Sequence, residues 1–162
     1  YYRILDTADK ISEILGKPAT YGHRRTKLKK VILPDGFAKN ATYISNFFNG
    51  CKELEEVDLS KFSVSNVKGM NGLFQHCSKL KEIDLTGWDT RNVEWMSDMF
   101  NNCTSLTKVI MTGDVSNLDK SEELTYMFYG INTNGTFYYN PDYDYSRIIS
   151  VLPATWKAVP LK

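Results

Sequence analysis

Apolar positions along this chain return every 26 residues (77−51 and 103−77 for Cys51, Cys77 and Cys103). Leu28, Leu54, Leu80 and Leu106 form one column, Val31, Val57, Ile83 and Val109 a second, and Leu33, Leu59, Leu85 and Met111 a third. Asn40, Asn66 and Asn92 keep the step, with Asn117 one residue early. Within each unit the period changes. Val57 and Leu59 alternate with polar neighbours in Leu54–Leu59, and Leu80–Leu85 and Leu106–Met111 read the same way. Period two predicts a short strand with one buried face. After the Asn, Ile44, Phe47, Phe48 and Cys51 fall at i, i+3, i+4 and i+7. So do Met70, Leu73, Phe74 and Cys77, then Met96, Met99, Phe100 and Cys103, then Leu124, Met127, Phe128 and Ile131. That spacing predicts a short helix with one apolar face. Ser65-Asn66, Arg91-Asn92 and Ser116-Asn117 are placed to cap it.

One strand and one helix cannot bury their own apolar faces, but stacked copies can. The period falls in the roughly 20–29-residue range of leucine-rich repeats. The predicted fold class is therefore α/β, a leucine-rich-repeat solenoid with short parallel strands on one face, short helices on the other and non-repeat caps at both ends. Repeats occupy 28–131. The N-terminal cap, 1–27, reads as an amphipathic helix through Ala8, Ile11 and Leu15, ended by Gly16 and Pro18. The C-terminal cap, 132–162, reads as a strand at 135–139, a short helix from Tyr145 to Val151 and an edge strand from Trp156 to Val159. No linker separates these parts, so a single domain over 1–162 is expected.

Composition changes this picture little. The chain of 162 residues is 42% hydrophobic and 24% charged, which suits a globular protein with a core. Its net charge of +1 gives no electrostatic reason to expect nucleic acid or an anionic membrane. No apolar run reaches the roughly 18 residues of a membrane span. No signal peptide is visible and the chain begins at Tyr1, so a mature or trimmed fragment is expected, with export left open.

With the columns in place, VKGMNGLFQHCSKLKEIDLTGWDTRN (67–92) and VEWMSDMFNNCTSLTKVIMTGDVSN (93–117) resemble the BspA-like leucine-rich repeat. ATYISNFFNGCKELEEVDLSKFSVSN (41–66) matches less fully, with Ile44 in place of the first Met. The clear likeness spans residues 41–117. Ile110 replaces the strand Asp, and Gly113 stands in the region of the aromatic, so the last full repeat departs from the pattern. The resemblance implies bacterial proteins exported to the cell surface, with adhesion to host proteins or other cells as the usual role. It carries no catalytic residues over.

The chemistry-bearing residues fit that reading. Each cysteine ends a buried helix face. Packed helices lie roughly 8–10 Å apart, beyond the Cα separation of about 7 Å that a disulfide tolerates. Small buried thiols are expected. His23 and His76 are the only histidines, and His76 next to Cys77 is not a zinc spacing. No nucleophile–base arrangement and no phosphate loop appears, so neither catalysis nor a cofactor or metal is expected.

The outward strand positions carry the sharper hypothesis: Lys30, Glu56, Asp58, Ser60, Glu82, Asp84, Thr86, Lys108, Ile110 and Thr112. Parallel strands about 4.8 Å apart would stack Glu56 near Glu82 and Asp58 near Asp84. Lys30 and Lys108 flank the Glu pair; Ile32 and Ile110 flank the Asp pair and leave it uncompensated. This is either an acidic spot for a cationic partner or a solvated face that keeps the chain soluble. Ordered calcium loops carry a tighter oxygen pattern. Tyr138, Tyr139, Tyr143 and Tyr145 form a second cluster, read as closing the hydrophobic end of the stack. The expected function is an extracellular protein-interaction or adhesion module of a bacterial surface protein, recognising an unknown protein or glycan through its strand face; the alternative is a spacer or stalk domain.

Overall fold

The computed structural model describes residues 29–119 and 124–162, apart from Pro34 and Phe37. The helix expected over Ala8–Leu15, Leu28 and His23 lie outside these residues. Among the described residues six short strands form, four in the repeats and two in the C-terminal cap, close to where they were expected: β1 (Lys30–Ile32), β2 (Glu56–Asp58), β3 (Glu82–Leu85), β4 (Lys108–Met111), β5 (Thr136–Tyr139) and β6 (Lys157–Pro160). All pairing is parallel, β1 with β2 and then β3-β4-β5-β6 in order. The inward positions Val31, Ile83, Leu85, Val109, Met111 and Phe137 are buried, and Val57 is half-buried. The molecule is a parallel-strand β-solenoid of about four turns.

The other half of each repeat departs from expectation. The segments 44–51, 70–77, 96–103 and 124–131 are successions of tight turns, and α1 (Ser146–Ile149) is the only α-helix among the described residues. The reason lies in two recurring left-handed positions. Asn46, Gly72 and Asp98 have φ of 61°, 60° and 55°; four residues on, Gly50, His76 and Asn102 have φ of 75°, 62° and 58°, and Gly130 holds the same place in the last arm at 69°. An α-helix admits no such residue in its interior, and Asn, Asp and Gly are the types that reach this region at least cost. The backbone N–H groups go elsewhere. Ile44, Asn46, Phe48 and Gly50 donate to the carbonyls of Gly69, Asn71, Leu73 and Gln75 in the next rung, at 2.8–2.9 Å. Met70, Gly72, Phe74 and His76 donate in the same way to Trp95, Ser97, Met99 and Asn101, at 2.8–3.0 Å. Intervening residues such as Phe47, Asn49 and Cys51 donate back three positions along the chain. The spacing i, i+3, i+4, i+7 was therefore a correct map of burial and a misleading map of backbone.

Those four columns are the core. Phe48, Phe74, Phe100 and Phe128 stack in series at ring-centroid distances of 5.3, 6.1 and 5.5 Å. The asparagines do not cap helices. Their side-chain amides donate backward to the preceding rung, Asn66 to the Lys39 carbonyl and Asn92 to the Ser65 carbonyl, both at 2.7 Å, and Asn117 to that of Arg91. The cysteines are free and buried, as expected, but helix spacing cannot be the cause. The S–H groups of Cys77 and Cys103 point instead at a carbonyl of the rung before, Phe48 at 3.1 Å and Phe74 at 3.0 Å respectively. Burial pushes the Cys77 thiol well up and that of Cys103 up to about 12, so both stay protonated at neutral pH.

At the C-terminal end, β5 follows β4 by 28 residues (136−108) and β6 follows β5 by 21 (157−136). Phe137 takes the next core position, Trp156 packs on Phe128, and the Tyr145 hydroxyl donates to the Gly113 carbonyl at 2.6 Å.

Candidate functional site

The strand face presents two outward columns, set by the register of the parallel pairs. One runs Lys30–Glu56 and, after a gap, Glu82–Lys108–Thr136–Lys157; the other runs Ile32–Asp58 and then Asp84–Ile110–Tyr138–Val159. The gap is a finding in itself. β2 and β3 are not hydrogen-bonded to each other, so the sheet is interrupted where Glu56 and Asp58 would have met Glu82 and Asp84. Like charges directly opposite disfavour strand pairing. The four carboxylates therefore flank a break in the hydrogen-bonded ladder and do not lie along one continuous sheet. Each side of the break carries its own ion pair, Lys30 with Glu56 at 2.5 Å and Lys108 with Glu82 at 3.3 Å.

The aspartates are turn residues. Asp58 Oδ1 accepts from Ser60 Oγ at 2.6 Å and from Ser60 N–H at 3.0 Å. These bonds, aided by Lys61 and Lys30, hold the Asp58 carboxyl below its ordinary value. Asp84 Oδ1 accepts from Thr86 N–H at 2.8 Å. A short side chain that bonds its own backbone two residues on fixes the direction in which the chain leaves the strand. Thr112 Oγ1 accepts from Gly87 N–H across the rung, at 3.3 Å. Of the ten positions singled out, Lys30, Glu56, Asp58, Ser60, Glu82, Asp84 and Thr86 are exposed, whereas Lys108, Ile110 and Thr112 are partly covered.

Sequence reasoning missed the continuation of this face into the cap. Tyr138 extends the outward Asp column beside Ile110, and Val159 follows it. The signal was hidden because the last two steps are 28 and 21 residues, not 26 (136−108 and 157−136). The tyrosine cluster divides. Tyr139 and Tyr145 pack with Phe137 in the core, Tyr138 faces out, and Tyr143 stays exposed. His76 is exposed and occupies a left-handed turn position. Among the described residues no group of three or more His, Cys, Asp or Glu side chains is placed to hold a metal ion, and no helix is long and apolar enough to cross a membrane.

The family described as Mycoplasma protein of unknown function, DUF285, matches residues 33–138, about two thirds of the chain. No curated protein and no solved structure matches. The chain belongs to the DUF285 family.

Proposed function

We propose that this DUF285 chain is a BspA-like, non-catalytic interaction module of a bacterial cell-surface protein, exported and adhesive, which binds a protein partner through its strand face. The observation that carries this reading is the outward array itself. Charged, hydroxyl and apolar side chains alternate in register on a hydrogen-bonded backbone, and Ile32 stays 47% exposed beside them. Short side chains fixed on a rigid scaffold lose little conformational entropy on binding. Ile110, Tyr138 and Val159 supply an apolar stripe next to the acidic Glu82 and Asp84, which suits a partner combining basic and apolar groups.

One observation favours a second reading, a spacer domain. The acidic side chains are already satisfied from within, Glu56 and Glu82 by lysines and Asp58 and Asp84 by their own turns. A charged face whose groups are bonded from within keeps a stalk soluble without needing a ligand.

The discriminating experiment is binding of the purified protein to immobilised extracellular-matrix proteins and mucins, beside a Glu56→Lys/Glu82→Lys double variant. Asp58 and Asp84 are left intact because they hold the turns. Capture by the parent and a loss of about tenfold or more in the variant supports recognition on this face. No capture by either protein favours the spacer, and equal capture moves recognition elsewhere.

A further inference from the structure

The start of the turn arms carries an aromatic pair that the strand-face reading leaves unused. Tyr43, Gly69 and Trp95 are bridged in parallel, one per rung. Tyr43 is 58% exposed and Trp95 is partly exposed. Rungs two apart should be separated by about 9.6 Å, twice the usual strand spacing. The two ring centroids are nevertheless only 6.2 Å apart, with an angle of 18° between the planes. Gly69 makes this approach possible: a Cβ there would sit 2.8 Å from Tyr43 Cδ1. The rings thus lean together over a position kept free of any side chain.

The chemistry beside the rings is neutral and hydrogen-bonding. Buried Ile44 and Met70 separate this column from Ser45 and Asn71, which share its outward side. Ser45 lies against the same glycine, its Oγ 3.5 Å from where that Cβ would be. Asn71 Oδ1 accepts from Ser97 N–H at 3.0 Å, which fixes the amide and leaves its Nδ2 as the donor for a ligand. On the neighbouring column Lys68 and Glu94 face each other at 3.6 Å.

We infer that Tyr43 and Trp95, with Ser45 and Asn71 beside them, form a binding platform for a neutral saccharide, separate from the strand face. Aromatic ring faces are electron-rich and attract the slightly positive C–H face of a pyranose. A hydroxyl and an amide next to the rings match the sugar's own hydroxyl groups. The Lys68–Glu94 pair beside the rings balances itself and gives little pull on a charged ligand, and a purely apolar one would leave the Ser45 and Asn71 groups unpaired.

The test uses the whole chain and neutral oligosaccharides of glucose, galactose and N-acetylglucosamine as probes, read by protein-observed NMR and calorimetry. Binding is expected to shift Tyr43, Trp95 and Asn71 resonances. Tyr43→Ala and Trp95→Ala should each weaken it by about tenfold. Gly69→Ala removes no aromatic ring but displaces Tyr43, and it should weaken binding while cooperative melting is retained. Tyr129→Ala, an exposed aromatic on another rung, and the strand-face double variant should bind as the parent does. The inference is overturned if none of these sugars binds, if binding survives loss of both rings, or if the lost binding follows Tyr129 instead. Capture of a protein that depends on Tyr43 while no sugar binds also overturns it.

Discussion

On the turn face, Phe48, Phe74, Phe100 and Phe128 stack rung upon rung without a break, and consecutive arms are tied by backbone hydrogen bonds throughout 44–50 and 70–76. On the strand face the sheet is interrupted once, between β2 and β3, with acidic residues on both sides. Both faces repeat with the same period. The turn face places side chains inward, where identical neighbours pack; the strand face places them outward, where identical neighbours can repel. The contrast teaches that the continuity of this solenoid is carried by its turns, and that its strands are free to vary in chemistry because they are not the sole tie between rungs.

The largest effect that could break this comparison is in the phenylalanine spine. Phe74→Ala removes a fully buried ring between two others and should cost about 3–5 kcal/mol, read from chemical denaturation. A loss under about 1 kcal/mol would show that the turn face does not carry the stack. Next in size is the backbone. His76→Val forces a β-branched residue into φ of 62° and should cost about 1–3 kcal/mol, whereas His76→Gly should be neutral or stabilising. In a helix the order would be reversed, because Gly is a poorer helix former than Val. Asn92→Ala removes a donor to the Ser65 carbonyl and should cost about 1 kcal/mol. The smallest effect belongs to the strand face, where Glu56→Gln should change stability by no more than about 0.5 kcal/mol, because the Lys30 pair is exposed.

Titration sharpens the contrast further. The buried Cys103 thiol is raised from 9.0 to about 12 in the folded chain. A raised acid stays protonated when folded and ionises first when unfolded, so its contribution is complete below pH 9.0 and is lost as pH rises towards about 12. Asp58 is lowered, so its contribution is present above its ordinary 3.8 and lost as pH falls through the lower folded value. Melting temperature against pH should therefore fall at both extremes. Cys103→Ala should flatten only the alkaline limb, and Asp58→Asn only the acid limb.

Much of the architecture was legible in the residues. Column by column, the period gave the strands, the inward positions and the free, buried cysteines. The cap strands and α1 fell within a residue or two of the segments 135–139, 145–151 and 156–159 read for them. What failed was the step from apolar spacing to backbone state. Ile44, Phe47, Phe48 and Cys51 satisfy a helical template, yet the contradicting signal was present in the polar columns. Asn46, Gly72 and Asp98, and Gly50, His76, Asn102 and Gly130, are mostly the residue types that tolerate a left-handed φ. The strand face was half-legible: the crowding of Glu56, Asp58, Glu82 and Asp84 could be read from the period, but the sequence did not show that β2 and β3 would fall in separate sheets. The Tyr43–Trp95 pair was invisible to an apolar-column reading, because its middle member is a glycine.

The most direct test of the turn-ladder account is scalar coupling across hydrogen bonds, measured by NMR at the Phe74 amide. The account predicts that Phe74 nitrogen couples to the carbonyl carbon of Met99 in the next rung, the partner its N–H reaches at 3.0 Å. Coupling to the Met70 carbonyl, four residues back in the chain, would mean that the arm is an α-helix and would contradict it.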